Sequence, residues 1–189
     1  MRWLLCLMML VSCAPKRLPL ELIRSCPDDQ VAFSLSTAAA SPRRIAVAIT
    51  TVGRSQGRVA PACPGPMAHF SAALREELER AGLVPIEVPL NVTARDLAMI
   101  GASKLLRGTV VFTAHDPGVY EAGLTPLVVD GTYTLSLVEL AEGSVVATSI
   151  GTMFGRGSTT SFEAAIRDVI DEHRAAVVRP LVTGLSTGQ

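Results

Sequence analysis

The chain has 189 residues, 49% of them apolar and 18% charged, with a mean hydropathy of +0.39, which describes one domain of ordinary size and excludes an intrinsically disordered chain. Lys plus Arg and Asp plus Glu each total 17. The basic excess that displaces phosphate counterions is therefore missing, and no nucleic acid is expected as a partner. Arg outnumbers Lys 15 to 2, but no stretch concentrates the arginines with aromatic residues.

The first residues read as an address. Met1-Arg2 gives a short positive region, and Trp3 to Val11 is an unbroken apolar run of nine residues. That is too short to span a membrane and right for the core of a signal peptide, and no later run reaches spanning length. The run ends in Leu10-Val11-Ser12-Cys13, which resembles the lipobox of bacterial lipoproteins. Small Ser12 would let a signal peptidase close around the scissile bond, and the Cys13 thiol would accept diacylglycerol. The alternative is an ordinary secretory signal with a chance cysteine. Ala14 is not the Asp that often retains lipoproteins in the inner membrane, so outer-membrane sorting on the periplasmic side is the expectation. Several acyl chains on one residue anchor stably, since each buried methylene contributes about 0.8 kcal/mol.

Cleavage after Ser12 leaves 16 basic and 17 acidic residues, because Arg2 is removed. Cys6 goes with the signal, Cys13 is lipidated, and Cys26 and Cys63 remain. In an oxidising compartment these two can form a disulfide. It would close a loop of 38 residues, worth about 4 kcal/mol in the chain-entropy model. The alternative is two free buried thiols. Each is followed by proline, which places both outside helices. No spacing of Cys and His suits zinc, and no metal or other cofactor is expected.

The body reads as a single α/β domain with a mixed sheet, over residues 43–183. Residues 1–12 precede it as signal and 13–42 as lipidated cysteine and tether, with a possible early strand at Val31–Ser36; 184–189 form a tail. Arg44–Val52 is β-branched and apolar, a buried strand in character. A Gly/Pro loop is expected over Gly53–Pro66. Met67, Phe70, Leu74, Leu78 and Ala81 recur at helical steps, and Gly82 follows as a stop. Leu83–Val88 reads as a short strand. Thr93 with Asp96 three residues later opens a short helix ending near Gly101. Lys104–Thr113 is a third strand, and residues 114–130 are expected as a long loop. Thr132–Leu140 and Ser144–Met153 flank Ala141-Glu142-Gly143, a hairpin signal. Thr160 and Glu163 make a capping box for a last helix with the apolar face Phe162, Ile166, Val169, Ile170 and Val177, which Pro180 is expected to stop. The order is β-α-β-α-β-β-β-α, and its two βαβ units put the first strands in parallel.

The stretch Gly101-Ala102-Ser103-Lys104-Leu105-Leu106-Arg107-Gly108, entering a strand, and the hairpin Leu135–Leu140 to Gly143–Val146 resemble a group of periplasmic lipoprotein domains. That group includes the curli secretion channel subunit CsgG, the penicillin-binding-protein activator LpoB and the amino-terminal domain of TolB. Ser103 stands where the group commonly has an acidic residue, and Glu139 and Glu142 stand where Asp and Thr are common. The resemblance covers about residues 43–180. It implies a non-enzymatic domain that binds envelope proteins or assembles into rings, and it carries over no catalytic residue.

Three features invite a chemical reading. Gly53-Arg54-Ser55-Gln56-Gly57 fits the G-x-S-x-G elbow of esterases, and Asp168 or Asp171 followed by His173 keeps their Ser–Asp–His order. The helix that should follow the serine is missing, however, because Val59–Pro64 carries two prolines, and His173 continues the stripe of the last helix, where packing or capping is expected. Gly151, Gly155 and Gly157 precede a helix start beside Ser158 and Thr159, as in an anion site, but without the spacing or lysine of a phosphate loop. His115-Asp116, with Pro117 next, is read as turn chemistry. The loop beyond is unusually apolar, and Tyr120, Leu124, Leu127 and Val128 are the expected contact with a protein partner. The alternative is that this segment folds back on the domain as a strand.

Taken together, the residues point to a lipid-anchored binding or assembly subunit of a cell-envelope complex, of the secretion or peptidoglycan-synthesis accessory type. A ring-forming secretion channel subunit, hence a homo-oligomer, is the alternative within that class, and a small periplasmic serine hydrolase using Ser55 is the rival outside it.

Overall fold

The computed structural model describes residues 38–56, 65–115, 127–157 and 162–186. The elements are β1 (Ser41–Gln56), α1 (Gly65–Arg80), β2 (Val84–Glu87), α2 (Ala94–Met99), β3 (Ala102–His115), β4 (Val128–Glu139), β5 (Val145–Arg156) and α3 (Phe162–Ser186). They form one five-stranded sheet in the order β2-β1-β3-β4-β5. The pairs β1–β2 and β1–β3 are parallel, and β3–β4 and β4–β5 are antiparallel. This is the α/β fold with a mixed sheet that the element order implies.

Alternation along the strands decides what each face buries. Ile45, Leu106, Val110, Phe112, Val129, Leu135, Leu137 and Met153 turn one way, into the main core with α1 and α3. On α1, Phe70, Ala73, Leu74 and Leu78 meet them, whereas Ala81 is exposed. Phe70 and Phe112 pack edge to face, their centroids 5.9 Å apart. The second core lies on the opposite face, where Leu97 and Ile100 of the α2 region cover Ala46, Ala48 and Ala102.

The Thr93–Asp96 capping box is present as read. The Asp96 N–H donates to Thr93 Oγ1 at 3.2 Å, and the Thr93 N–H donates to Asp96 Oδ2 at 3.1 Å. The Thr93 hydroxyl also donates to Asp96 Oδ2 at 2.7 Å, and the two bonds that the carboxylate accepts hold the Asp96 carboxyl below its usual range, with the Thr93 hydroxyl the leading cause, its N–H next and neighbouring Arg95 a smaller one.

Four expectations are corrected. Gly53–Gln56 is strand, because these residues pair with Phe112–His115 of β3. His115 is also strand: it sits opposite Val128, and its Nε2 lies 2.7 Å from Asp130 Oδ2 across the ladder. The expected loop 114–130 shrinks at both ends, since β4 begins at Val128. Pro180 does not stop α3, which runs through it to Ser186 and into the expected tail. An internal proline removes one intrahelical donor, and here Val177, Val178 and Leu181 hold the turn around it in the core.

Candidate functional site: the open face of the sheet

Among the described residues, helices α1 and α3 cover one face of the sheet, and α2 covers only its β1 end on the other. Beyond α2 the outward residues align in cross-strand rows. Ala48, Arg107, Ser136 and Thr148 form one; Thr50, Thr109, Thr134 and Ile150 the next; Val52, Val111, Thr132 and Thr152 a third; Arg54, Thr113, Asp130 and Phe154 a fourth. The middle of the face is thus largely hydroxylic. Where it meets α2 there is a shallow, open hollow of about 470 Å³, lined by Leu90, Val92, Leu105, Arg107, Thr134 and Ser136 among others.

The outer strand differs. Ile150 and Phe154 of β5 are 69% and 59% exposed and sit four residues apart on one face, an apolar ridge along the sheet. Beyond a register shift in the β4–β5 ladder, Val145 and Val146 at the start of the strand are exposed as well. Scattered exposed apolar residues are ordinary, but an aligned row of large ones on one face marks a contact surface.

The residues singled out in the sequence are distributed unevenly over this frame. Cys13, Cys26, Cys63, Tyr120 and Leu124 lie outside the described residues, as do Thr160 and the early strand at Val31–Ser36. Leu127 is 3% exposed and joins the main core. Val128 is half-buried as the first residue of β4. Neither stands on a free loop, so the strand alternative holds for this end of the segment. Ser55 lies within β1, opposite Ala114, and not on a strand-to-helix turn. Of the groups that would serve it, Asp171 and His173 are engaged elsewhere. Asp171 Oδ1 lies 3.0 Å from His69 Nε2, and His173 Nε2 lies 3.1 Å from the Phe154 carbonyl. His173 therefore ties α3 to β5, which agrees with its packing or capping role.

The glycines also have a packing account. A Cβ on Gly155 would stand 2.7 Å from Val169 Cγ2, and one on Gly157 would stand 2.5 Å from Ala165 Cα. Bare backbone at these positions lets α3 lie close along β5, where Ser149 Oγ donates to the Val177 carbonyl at 2.7 Å. The ridge itself is the feature that sequence reasoning misses. Its signal is present in Ile150 and Phe154, but the hairpin pattern alone does not say which face the helices cover.

No protein-family model and no curated protein sequence matches the chain. Among solved structures it is similar to the PelC dodecamer of Paraburkholderia phytofirmans, at 20% identity over 77% of this chain and 93% of that one, with a TM-score of 0.46. A minor lipoprotein of Acinetobacter baumannii is similar at 14% identity over 75% of this chain and 94% of that one, TM-score 0.43. A lipoprotein of Neisseria meningitidis is similar at 11% identity over 74% of this chain and 98% of that one, TM-score 0.40.

Proposed function

We propose that the chain is an outer-membrane lipoprotein, anchored through Cys13 on the periplasmic side, whose domain works by binding another envelope protein and performs no chemistry of its own. The observation that carries the binding role is the ridge of Ile150 and Phe154, held on the side of the sheet that α1 and α3 leave open. The Leu10–Cys13 lipobox supports the anchor, and an anchored domain presents such a face to partners at the same membrane. This reading moves the partner contact from the segment around Leu127 to β5.

Two substitutions test it. Cys13→Ala removes the acyl acceptor, and the chain is then recovered in the soluble periplasmic fraction; continued sedimentation with outer membranes contradicts the anchor. Phe154→Asp places a charge on the ridge at an exposed position, so the domain keeps its melting temperature but loses cross-linking to envelope proteins in intact cells. Unchanged cross-linking contradicts the ridge.

A further inference from the structure

We propose that the hollow where the open face meets the α2 region is a second binding site, separate from the ridge, and that it takes a small monocarboxylate with an apolar group beside the charge. Arg107 is exposed and is the one charged residue lining the hollow among the described residues. No ion pair or side-chain hydrogen bond with a described residue engages its guanidinium. Lys104, three positions earlier on the same strand, is by contrast held by Glu139 at 2.8 Å. On the open face of the sheet strands the carboxylate is Asp130, which stands three cross-strand rows away and is already answered by His115. An unbalanced charge on the wall of a concavity raises the local concentration of its counter-ion.

The rest of the lining says what accompanies the charge. Ser136 stands opposite Arg107 on the ladder, with Thr134 two positions away on the same strand. Neither hydroxyl bonds to a described residue, so both are available beside the guanidinium as further donors to a ligand oxygen. The other wall is apolar, made by Leu90, Val92 and Leu105. Leu90 is 56% exposed there, although Val88, Leu97 and Ile100 around it in the chain are buried. A ligand seated in the hollow therefore sets its carboxylate on Arg107 and its carbon group against Leu90 and Val92. One guanidinium balances one negative charge, and its planar fork matches the two oxygens of a carboxylate. A phosphate dianion would keep a charge unanswered. Acyl chains and the C-terminal residues of peptides both end in the group that fits.

The test is magnetic resonance on the full-length chain in uncharged detergent, with isotope-labelled arginine. The Arg107 Nε–H signal is the one that vanishes in Arg107→Gln. The probes are hexanoate and N-acetyl-leucine, each beside its uncharged amide. A carboxylate probe is predicted to move the Arg107 signal saturably at about millimolar concentration, the range open to ligands of this size. Its amide should bind about tenfold more weakly, having lost the charge-assisted bonds. Response to hexanoate alone assigns an acyl source, response to acetyl-leucine alone a peptide terminus, and response to both the shared chemistry. Saturation transfer read on the ligand should disappear in Arg107→Gln and fall about threefold in Leu90→Asn, both at exposed positions compatible with folding. Amides that bind as well as the carboxylates overturn the proposal, as does the absence of binding by either carboxylate. Binding that survives Arg107→Gln overturns it by placing the ligand elsewhere, and inorganic phosphate that binds more tightly than both probes overturns the monocarboxylate. Each of these results leaves the cross-linking test of the ridge with Phe154→Asp unaffected.

Discussion

Thr93 and Asp96 are the pair whose role is plainest from residue types and spacing alone. A hydroxyl and a carboxylate three apart, followed by Leu97, announce a helix start because they answer two backbone donors that the first turn leaves unpaired. Thr93→Ala is predicted to cost about 1 kcal/mol of stability, measurable by urea denaturation at neutral pH. The sign with pH follows from the lowered Asp96 carboxyl. Its stabilisation is present above the unfolded pKa and is lost as pH falls through the lower folded value. The difference between parent and Thr93→Ala should therefore shrink in acid below the ordinary carboxylate value of 3.8; a difference that grows there contradicts the assignment. Gly157 makes a second residue-scale case. The run of glycines reads from sequence as an anion loop or a flexible connection, because spacing does not report how closely a helix approaches. Gly157→Ala would push its Cβ onto Ala165, and overpacking of this kind costs about 2 kcal/mol. The loss should be the same with and without added phosphate, whereas a phosphate-dependent loss would restore the anion reading.

At the scale of elements, the type of every strand and helix is legible in the sequence, and the misreadings fall at ends. Gly53–Gln56 looks like loop because Gly, Arg, Ser and Gln have low strand preference, yet the neighbouring β3 supplies partners for all four positions. Pairing outweighs propensity there. Val128 and Val129 are strand formers, but Asp130 and Gly131 interrupt them with turn chemistry, and β3 again supplies the partners. Pro180 shows the opposite limit: proline ends helices in isolation, but Val177, Val178 and Leu181 bury enough surface to carry α3 across it. Pro180 is exposed and contributes nothing to the core. Pro180→Ala should therefore stabilise the domain by about 2 kcal/mol, seen as a higher midpoint in thermal denaturation; an unchanged or lower midpoint would mean that the proline fits its turn without strain.

At the scale of the whole molecule, the two faces of one sheet divide the work. Helices α1 and α3 take one face for stability. The other carries α2 at one end, hydroxyl rows in the middle and the ridge at β5. The address at the N-terminus is legible because signal chemistry is local in sequence. The contact face is not, since which side of a strand meets solvent depends on where distant helices pack. The most direct measurement is maleimide labelling of Phe154→Cys in intact envelopes and in the purified, dissociated chain, with Ala175→Cys on the exposed side of α3 as reference. Position 154 should label several-fold more slowly in the envelope while position 175 labels equally in both; equal labelling of position 154 in the two preparations would contradict a docked open face.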